Sequence, residues 1–164
     1  MKIDAHTRGC LLGLALLAAP TPAGAAACGT GLNPILMLAT GVAFGLYSPG
    51  AAAATSSNGT VTVTCTVVLA STLPSFTIAL SAGTNGTFGQ RKMAFGTARL
   101  NYNLYTTAAY STIWGDGTTP TATQAYAASS GLSLTTFTAY GSLAPRQFTT
   151  PGFYTDGITV TVTY

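Results

Sequence analysis

Charged side chains are what this sequence has least of. Only 5% of its 164 residues are charged, against roughly 25% in an ordinary globular domain. It has six Lys and Arg residues, three acidic residues, all aspartate, and one histidine. The formal net charge of +3 is too small to predict binding to nucleic acid or to a membrane surface. A polar surface made instead of Thr, Ser, Asn and Tyr can be buried against another protein without stranding unpaired charges.

Long apolar runs are also scarce. Leu11–Ala19 follows the basic residues Lys2 and Arg8 and precedes the small residues of Pro20–Ala27. This order is typical of a secretory signal peptide, and the apolar run is too short to cross a membrane. No second apolar run of spanning length follows.

We therefore predict a cleaved signal peptide at residues 1–27 and one exported domain at residues 28–164, with no membrane segment after cleavage. An alternative is a lipoprotein acylated at Cys28. Residues 28–164 suffice for a single domain with a real core.

Removal of the signal peptide takes away the only histidine, His6, and the chain has no glutamate. Nucleophilic catalysis by Ser or Cys needs a positioned base, and none remains. Asp116 and Asp156 each precede a glycine, an ordinary position for a turn aspartate. The sequence therefore predicts a protein that is not an enzyme and has no catalytic residues, metal site or cofactor.

Two cysteines remain after cleavage, Cys28 and Cys65. Export places them in an oxidising compartment, which favours a disulfide. Closing a loop of that length stabilises by roughly 3 to 4 kcal/mol in the chain-entropy model. Two free buried thiols are the alternative.

Alternating apolar and polar residues, the signature of half-buried strands, dominate the exported part. The pattern reaches the final residue, where Ile158, Val160, Val162 and Tyr164 share one face. A strand that ends with the chain must pair with something other than downstream residues. The other predicted strands are 42–46, 60–69, 76–80, 100–105, 113–114 and 132–143, with 35–39 as a candidate strand before the first of them. A loop is predicted at 48–59 and a segment rich in Thr, Ala and Ser at 118–130.

About six or seven strands and no helical periodicity predict an all-β, immunoglobulin-like sandwich. Trp114 with Tyr102, Tyr105 and Tyr110 could form a sugar-stacking platform, although core packing is the simpler interpretation. The basic residues 91, 92 and 99 are expected to be solvated rather than to form a binding patch.

Several segments resemble the spore coat protein U domain family. They are Gly41–Gly45, Gly59–Cys65, Arg91-x-Met93, Leu100–Tyr105, Thr112–Thr118, Tyr140–Leu143 and Gly152–Tyr164. The resemblance covers essentially all of residues 28–164, and the order of the segments with the Tyr-ended terminus is specific.

This family is similar to the subunits of archaic chaperone-usher pili. The fold of those subunits is an incomplete immunoglobulin-like β-sandwich that lacks its final strand and is completed by donor-strand addition. The resemblance implies a periplasmic chaperone, an outer-membrane usher and other pilin subunits as partners, and a location at the cell surface reached through the periplasm. Cys28 and Cys65 fall where the family's disulfide joins its first two strands.

An incomplete sandwich exposes an apolar groove and a strand edge, which an added strand covers. We expect one groove wall to be lined by Ile158, Val160, Val162 and Tyr164. The opposite wall is expected to be lined by Val42, Phe44 and Leu46.

The sequence departs from polymerising subunits of the family ahead of the first cysteine. They carry an alternating apolar segment there, whereas predicted cleavage leaves at most Ala26-Ala27. We therefore expect a strand acceptor that acts as a tip, minor or capping subunit in attachment or biofilm formation. Alternatives are a self-completed spore-coat or surface protein, with 33–39 folding back as the substitute strand, and a carbohydrate-binding adhesin.

Overall fold

The structure, a computed structural model, describes residues 35–65, 74–128 and 134–164. Within these ranges the chain forms ten β-strands and no helix. The strands are β1 (Ile35–Thr40), β2 (Thr55–Cys65), β3 (Phe76–Leu80), β4 (Arg91–Phe95), β5 (Ala98–Tyr105), β6 (Ile113–Trp114), β7 (Thr121–Ala122), β8 (Gln124–Tyr126), β9 (Leu134–Leu143) and β10 (Val160–Thr163). The same ranges contain no helix with the length and hydropathy needed to span a membrane.

The strands form two sheets. The large sheet has seven strands in the order β1-β2-β9-β5-β6-β7, with β4 also paired to β5. The small sheet has the order β10-β3-β8. The terminal strand thus pairs antiparallel with β3, Val160 opposite Leu80 and Val162 opposite Ile78. The predicted all-β class is confirmed.

The core lies between the sheets and is built from the alternate residues that the sequence pattern marks as apolar. Strands of both sheets contribute side chains that are almost wholly buried, the arrangement expected of sandwich packing. These side chains are Val61, Val63, Phe76, Ile78, Leu80, Leu100, Tyr102, Leu104, Trp114, Ala139 and Leu143.

Residues 42–46 do not form the strand that their alternation predicted, whereas the strand considered before them at 35–39 is present. The strand is β1, and its ladder to β2 ends at the pair Thr40 and Thr60. Within the described part of 33–39, residues 35–39 belong to β1 and pair with β2 as an ordinary first strand. Beyond Thr40 the chain leaves the sheet, so alternation survives in burial but not in strand pairing. Positive φ at Gly45 (70°) then turns the chain.

Two segments predicted as irregular contain strands. Residues 55–59 belong to β2 because they pair with residues 139–143 of β9, and this tertiary pairing outweighs the weak strand propensity of Ser, Asn and Gly. The Thr-, Ala- and Ser-rich segment at 118–130 contains β7 and β8. The described residues do not include 1–34, which contain Cys28, or 66–73, and nothing is described of the Cys65 side chain. The signal peptide and the disulfide therefore stay predictions.

Candidate functional site

A cleft opens where the chain leaves the large sheet after β1 and where it enters β10. It consists of two adjoining cavities, a first of about 440 Å³ and a second of about 770 Å³. Both are lined by Val42, Phe44, Met93, Tyr154 and Thr155. We call the two cavities together the cleft.

Apolar side chains from both sheets form the first cavity. Val42 and Phe44 line it from one side, and Ile158 and Val160 line it from the segment that enters β10. The remaining apolar lining comes from β1, β2, β3, β4, β5 and β9: Ala39, Val61, Leu80, Met93, Leu104 and Ala139. A cavity of this composition accepts apolar side chains.

Two glycines allow Val42 and Phe44 to sit against the large sheet. A Cβ on Gly141 would lie 2.9 Å from the Phe44 ring and 2.5 Å from a Val42 methyl. A Cβ on Gly59 would lie 3.0 Å from the other Val42 methyl. Because Gly59 in β2 and Gly141 in β9 have no side chains, the surface of the large sheet has a depression there, which we call the shelf. The half-buried side chains of Val42 and Phe44 lie on it.

The opposite wall of the cleft, formed by residues 155–160, is bonded to the large sheet at its start and to the small sheet at its end. Thr155 exchanges two backbone hydrogen bonds with Ala94 of β4, in the large sheet. Four residues later the Thr159 carbonyl accepts a hydrogen bond from the Ser81 amide, just past the end of β3. Residues 155–159, which we call the crossing segment, therefore carry the chain from the large sheet to the small one.

A strand edge flanks the cleft on one side. Among the residues that the structure describes, β10 pairs only with β3, so its second edge has no ladder partner. Residues 41–47, on the other side, form no strand. Backbone N–H and C=O groups at such an edge can pair with an added strand.

Four of the predicted groove residues line the same cavity from opposite sides: Val42, Phe44, Ile158 and Val160. Leu46 is 98% exposed and lies at the second cavity. Val162 packs against the core and Tyr164 is 65% exposed, and neither lines either cavity. The lining residues from β4 and β5 were not among the predicted groove residues, although the alternation in 100–104 marks Tyr102 and Leu104 as core-facing.

Arg91 was expected to be solvated, but it is wholly buried in β4. Its guanidinium donates to the Ser81 carbonyl (3.0 and 2.7 Å), the Trp114 carbonyl (2.8 Å) and Asn103 Oδ1 (2.7 Å). Burial lowers the pKa of Arg91, with Tyr102 and Asp156 acting in the opposite direction. A buried charge is tolerated when its donors are satisfied in this way.

Asp156 lies in the crossing segment and lines the first cavity. Its Oδ2 accepts a hydrogen bond of 2.7 Å from the Tyr102 hydroxyl. Its Oδ1 accepts from the Thr84 amide (2.9 Å) and hydroxyl (2.8 Å) and from the Gly157 amide (2.9 Å). Burial of Tyr102, together with this hydrogen bond, raises the pKa of its hydroxyl far above its ordinary value.

The sugar-stacking interpretation of Trp114 is wrong. The indole ring has no exposed surface, and its Nε1 donates a 2.9 Å hydrogen bond to the Ile78 carbonyl. Trp114 therefore joins the two sheets and is unavailable to a ligand. The described residues hold no cluster of three or more His, Cys, Asp or Glu side chains.

Comparison with protein families identifies the family. The model of the Spore Coat Protein U domain matches residues 14–161, which is most of the chain. A search of curated proteins found no match.

Comparison with solved structures shows an immunoglobulin-like sandwich. One similar structure is a chain in the chaperone–tip adhesion subunit pre-assembly complex from the archaic chaperone-usher Csu pili of Acinetobacter baumannii. The sequences are 19% identical, with a TM-score of 0.56 over 82% of this chain and 40% of the other. The present chain thus spans less than half of the chain that it matches.

Proposed function

Because the chain belongs to the Spore Coat Protein U domain family, we propose that it is a pilin-like structural subunit that accepts a β-strand from a partner. The observation that carries the proposal is the cleft, with its apolar lining and a strand edge beside it. The proposed mechanism is strand addition without catalysis, at the cell surface and after export through the periplasm.

The cleft supports this function through two kinds of contact. An added strand pairs its backbone with the edge of β10, which satisfies exposed N–H and C=O groups. Its alternate side chains enter the cavity between Phe44 and Val160 and bury apolar surface at about 25 cal/mol per Å². We propose Val42, Phe44, Leu46, Ile158, Val160, Val162 and Tyr164 as groove residues. The central ones are Val42, Phe44, Ile158 and Val160, which line the first cavity.

The proposed partners are a periplasmic chaperone, an outer-membrane usher and other pilin subunits. The similar complex from Acinetobacter baumannii contains a chaperone and a tip adhesion subunit before assembly, which supports this choice for a chain of the same fold. We also propose a disulfide between Cys28 and Cys65, since the exported chain holds two cysteines.

The proposed place in an assembly is that of a tip, minor or capping subunit in surface attachment or biofilm formation. Support comes from the predicted cleavage region, which leaves at most Ala26-Ala27 ahead of Cys28. A subunit that accepts a strand and donates none can occupy only one end of a fibre.

Thermal unfolding tests strand acceptance. Synthetic peptides from the N-terminal extensions of co-encoded subunits are added to the exported chain. A binding peptide at 100 times its Kd stabilises by about 2.7 kcal/mol, which raises the unfolding temperature by several degrees. An unfolding temperature that rises with none of these peptides would contradict the proposal.

Two aspartate variants of the same N-terminal region sharpen this test. Phe44→Asp puts a charge into the first cavity and is expected to abolish the peptide-induced rise. Leu38→Asp is the matched control because Leu38 is an apolar β1 side chain that is 69% exposed and outside both cavities. A peptide response equally reduced in both variants would argue against binding in the cleft.

A further inference from the structure

We propose that Asp156 is a positioning residue that holds the crossing segment, and with it one wall of the cleft, in the place an incoming strand requires. This rests on the proposed strand acceptance. Asp156 looks like an ordinary turn aspartate in the sequence, since Gly157 follows it. Its contacts reach much further than one turn.

The carboxylate joins three separate parts of the chain. Oδ2 accepts from the hydroxyl of Tyr102, a residue of β5 in the large sheet. Oδ1 accepts from the amide and hydroxyl of Thr84, four residues beyond the end of β3 in the small sheet. A carboxylate with charge-assisted hydrogen bonds to both groups ties β5 to the loop that follows β3 at this point.

The position of Asp156 along the wall gives these contacts their effect on the cleft. Thr155, immediately before it, is bonded to β4, whereas Thr159 is bonded to Ser81 beyond β3. Between these two residues the backbone changes sheets, and the side chain of Asp156 bonds to the large sheet and to the loop beyond β3. The cleft-lining residues Ile158 and Val160 follow directly.

Gly83 leaves room for this arrangement. Its φ is +82°, a conformation that residues with a side chain rarely adopt. A Cβ there would collide with the carboxylate of Asp156. The turn after β3 is therefore shaped so that Thr84 and the carboxylate meet.

The other described carboxylate provides a contrast. Asp116 accepts from the amide and hydroxyl of Thr118 (2.9 and 2.6 Å) and from the Thr121 hydroxyl (3.3 Å). All of these contacts lie within five residues of Asp116, and the residue lines neither cavity. Asp116 is thus a matched control with a similar set of donors and no reach across the sandwich.

Loss of the Asp156 contacts frees the crossing segment between its two backbone anchors. The wall can then take several positions, and a strand that binds must first select one of them. Binding to a wall that is not preorganised is weaker because ordering it opposes association. The expected signature is a loss of peptide affinity that exceeds any effect of the same change at Asp116.

The test compares Asp156→Ala, Tyr102→Phe and Asp116→Ala in the exported chain. The probe is the peptide that gives the largest thermal rise with the wild-type chain, and its Kd is measured by fluorescence anisotropy. Hydrogen exchange at the amides of Thr84 and Gly157, measured without peptide, reports the contacts of Asp156 directly. Tyr102→Phe keeps the ring and removes one hydrogen bond, so it remains informative if Asp156→Ala fails to fold.

We expect Asp156→Ala to speed exchange at Thr84 and to weaken peptide binding by about tenfold, with a smaller weakening in Tyr102→Phe. Asp116→Ala is expected to change Kd by less than about twofold. Unchanged Kd in both Asp156→Ala and Tyr102→Phe, with the wild-type chain binding peptide, would overturn the positioning role alone. A wild-type chain that binds no peptide would overturn strand acceptance as well.

Discussion

Arg91 is the residue whose environment differs most from the one that the sequence predicted. Next to Lys92 it has the pattern of a solvated basic pair, yet its guanidinium makes four hydrogen bonds in the interior. It binds carbonyls that follow β3 and end β6, so it connects the two sheets. The fork of donors on an arginine can satisfy such separated acceptors, whereas a lysine ammonium acts from a single point.

Arg91→Lys should therefore destabilise the domain. The lysine ammonium has fewer donors than the guanidinium, so some of the acceptors at Ser81, Asn103 and Trp114 are left unpaired. We expect a loss of about 2 to 4 kcal/mol in the free energy of unfolding. Urea unfolding measures this loss. Arg99→Lys is the control because Arg99 is exposed and bonds only to carbonyls of its own turn, so its change should stay within about 0.5 kcal/mol. Equal effects of the two substitutions would contradict the role assigned to Arg91.

Asp116 should make stability depend on pH. Hydrogen bonds from the hydroxyl and amide of Thr118 lower the pKa of this carboxyl in the folded chain. The folded chain therefore releases this proton more readily than the unfolded chain, so the contribution is complete above the unfolded pKa and is lost as pH falls through the folded pKa. Unfolding temperatures of the wild type and Asp116→Asn should differ near pH 7 and converge in strong acid. A gap that stays constant over this range would contradict the assignment.

At the scale of elements, the alternation predicted which side chains face inward better than it predicted which segments pair as strands. Val42 and Phe44 share a face, as predicted, but they belong to a segment without strand pairing that follows β1. Alternation reports which side chains turn inward, whereas strand pairing depends on a neighbour that lies elsewhere in the chain. The same reason explains residues 55–59, which are strand because β9 lies beside them.

Gly141→Ala tests the shelf beneath residues 42 and 44. The added methyl would displace Val42 and Phe44 from β9, and we expect destabilisation of about 1 to 3 kcal/mol. Gly41→Ala is the matched control in the wall itself, since no atom lies within 4 Å of the position its Cβ would take. Urea unfolding of both variants, with peptide affinity as a second measurement, distinguishes them. A fully stable Gly141→Ala with unchanged affinity would show that the shelf is not needed.

For the whole molecule, the central fact is a sandwich whose core is open at the cleft. Two cavities of about 440 and 770 Å³ leave apolar walls exposed in a chain with little charge to keep copies apart. An exposed strand edge beside them adds a second route to aggregation.

Export with and without a co-encoded periplasmic chaperone tests this prediction. Without the chaperone we expect the chain to aggregate or be degraded, and with it we expect a soluble complex containing both proteins. Periplasmic yield and size-exclusion chromatography provide the measurement. A stable monomer in the absence of any chaperone would favour the self-completed surface protein instead.

The sequence by itself determined the class of the fold and the inward faces of its strands, because period-2 alternation is a local property that each strand carries in its own residues. Only the tertiary structure decided that Arg91 is buried, that Val42 and Val160 line one cavity, and that Asp156 joins β5 to the loop that follows β3. Each of these depends on residues far apart in the chain meeting in space, and no local pattern records such a meeting. The terminal strand combines both levels: its alternation made it a strand, and its place beside β3 made it one edge of the cleft.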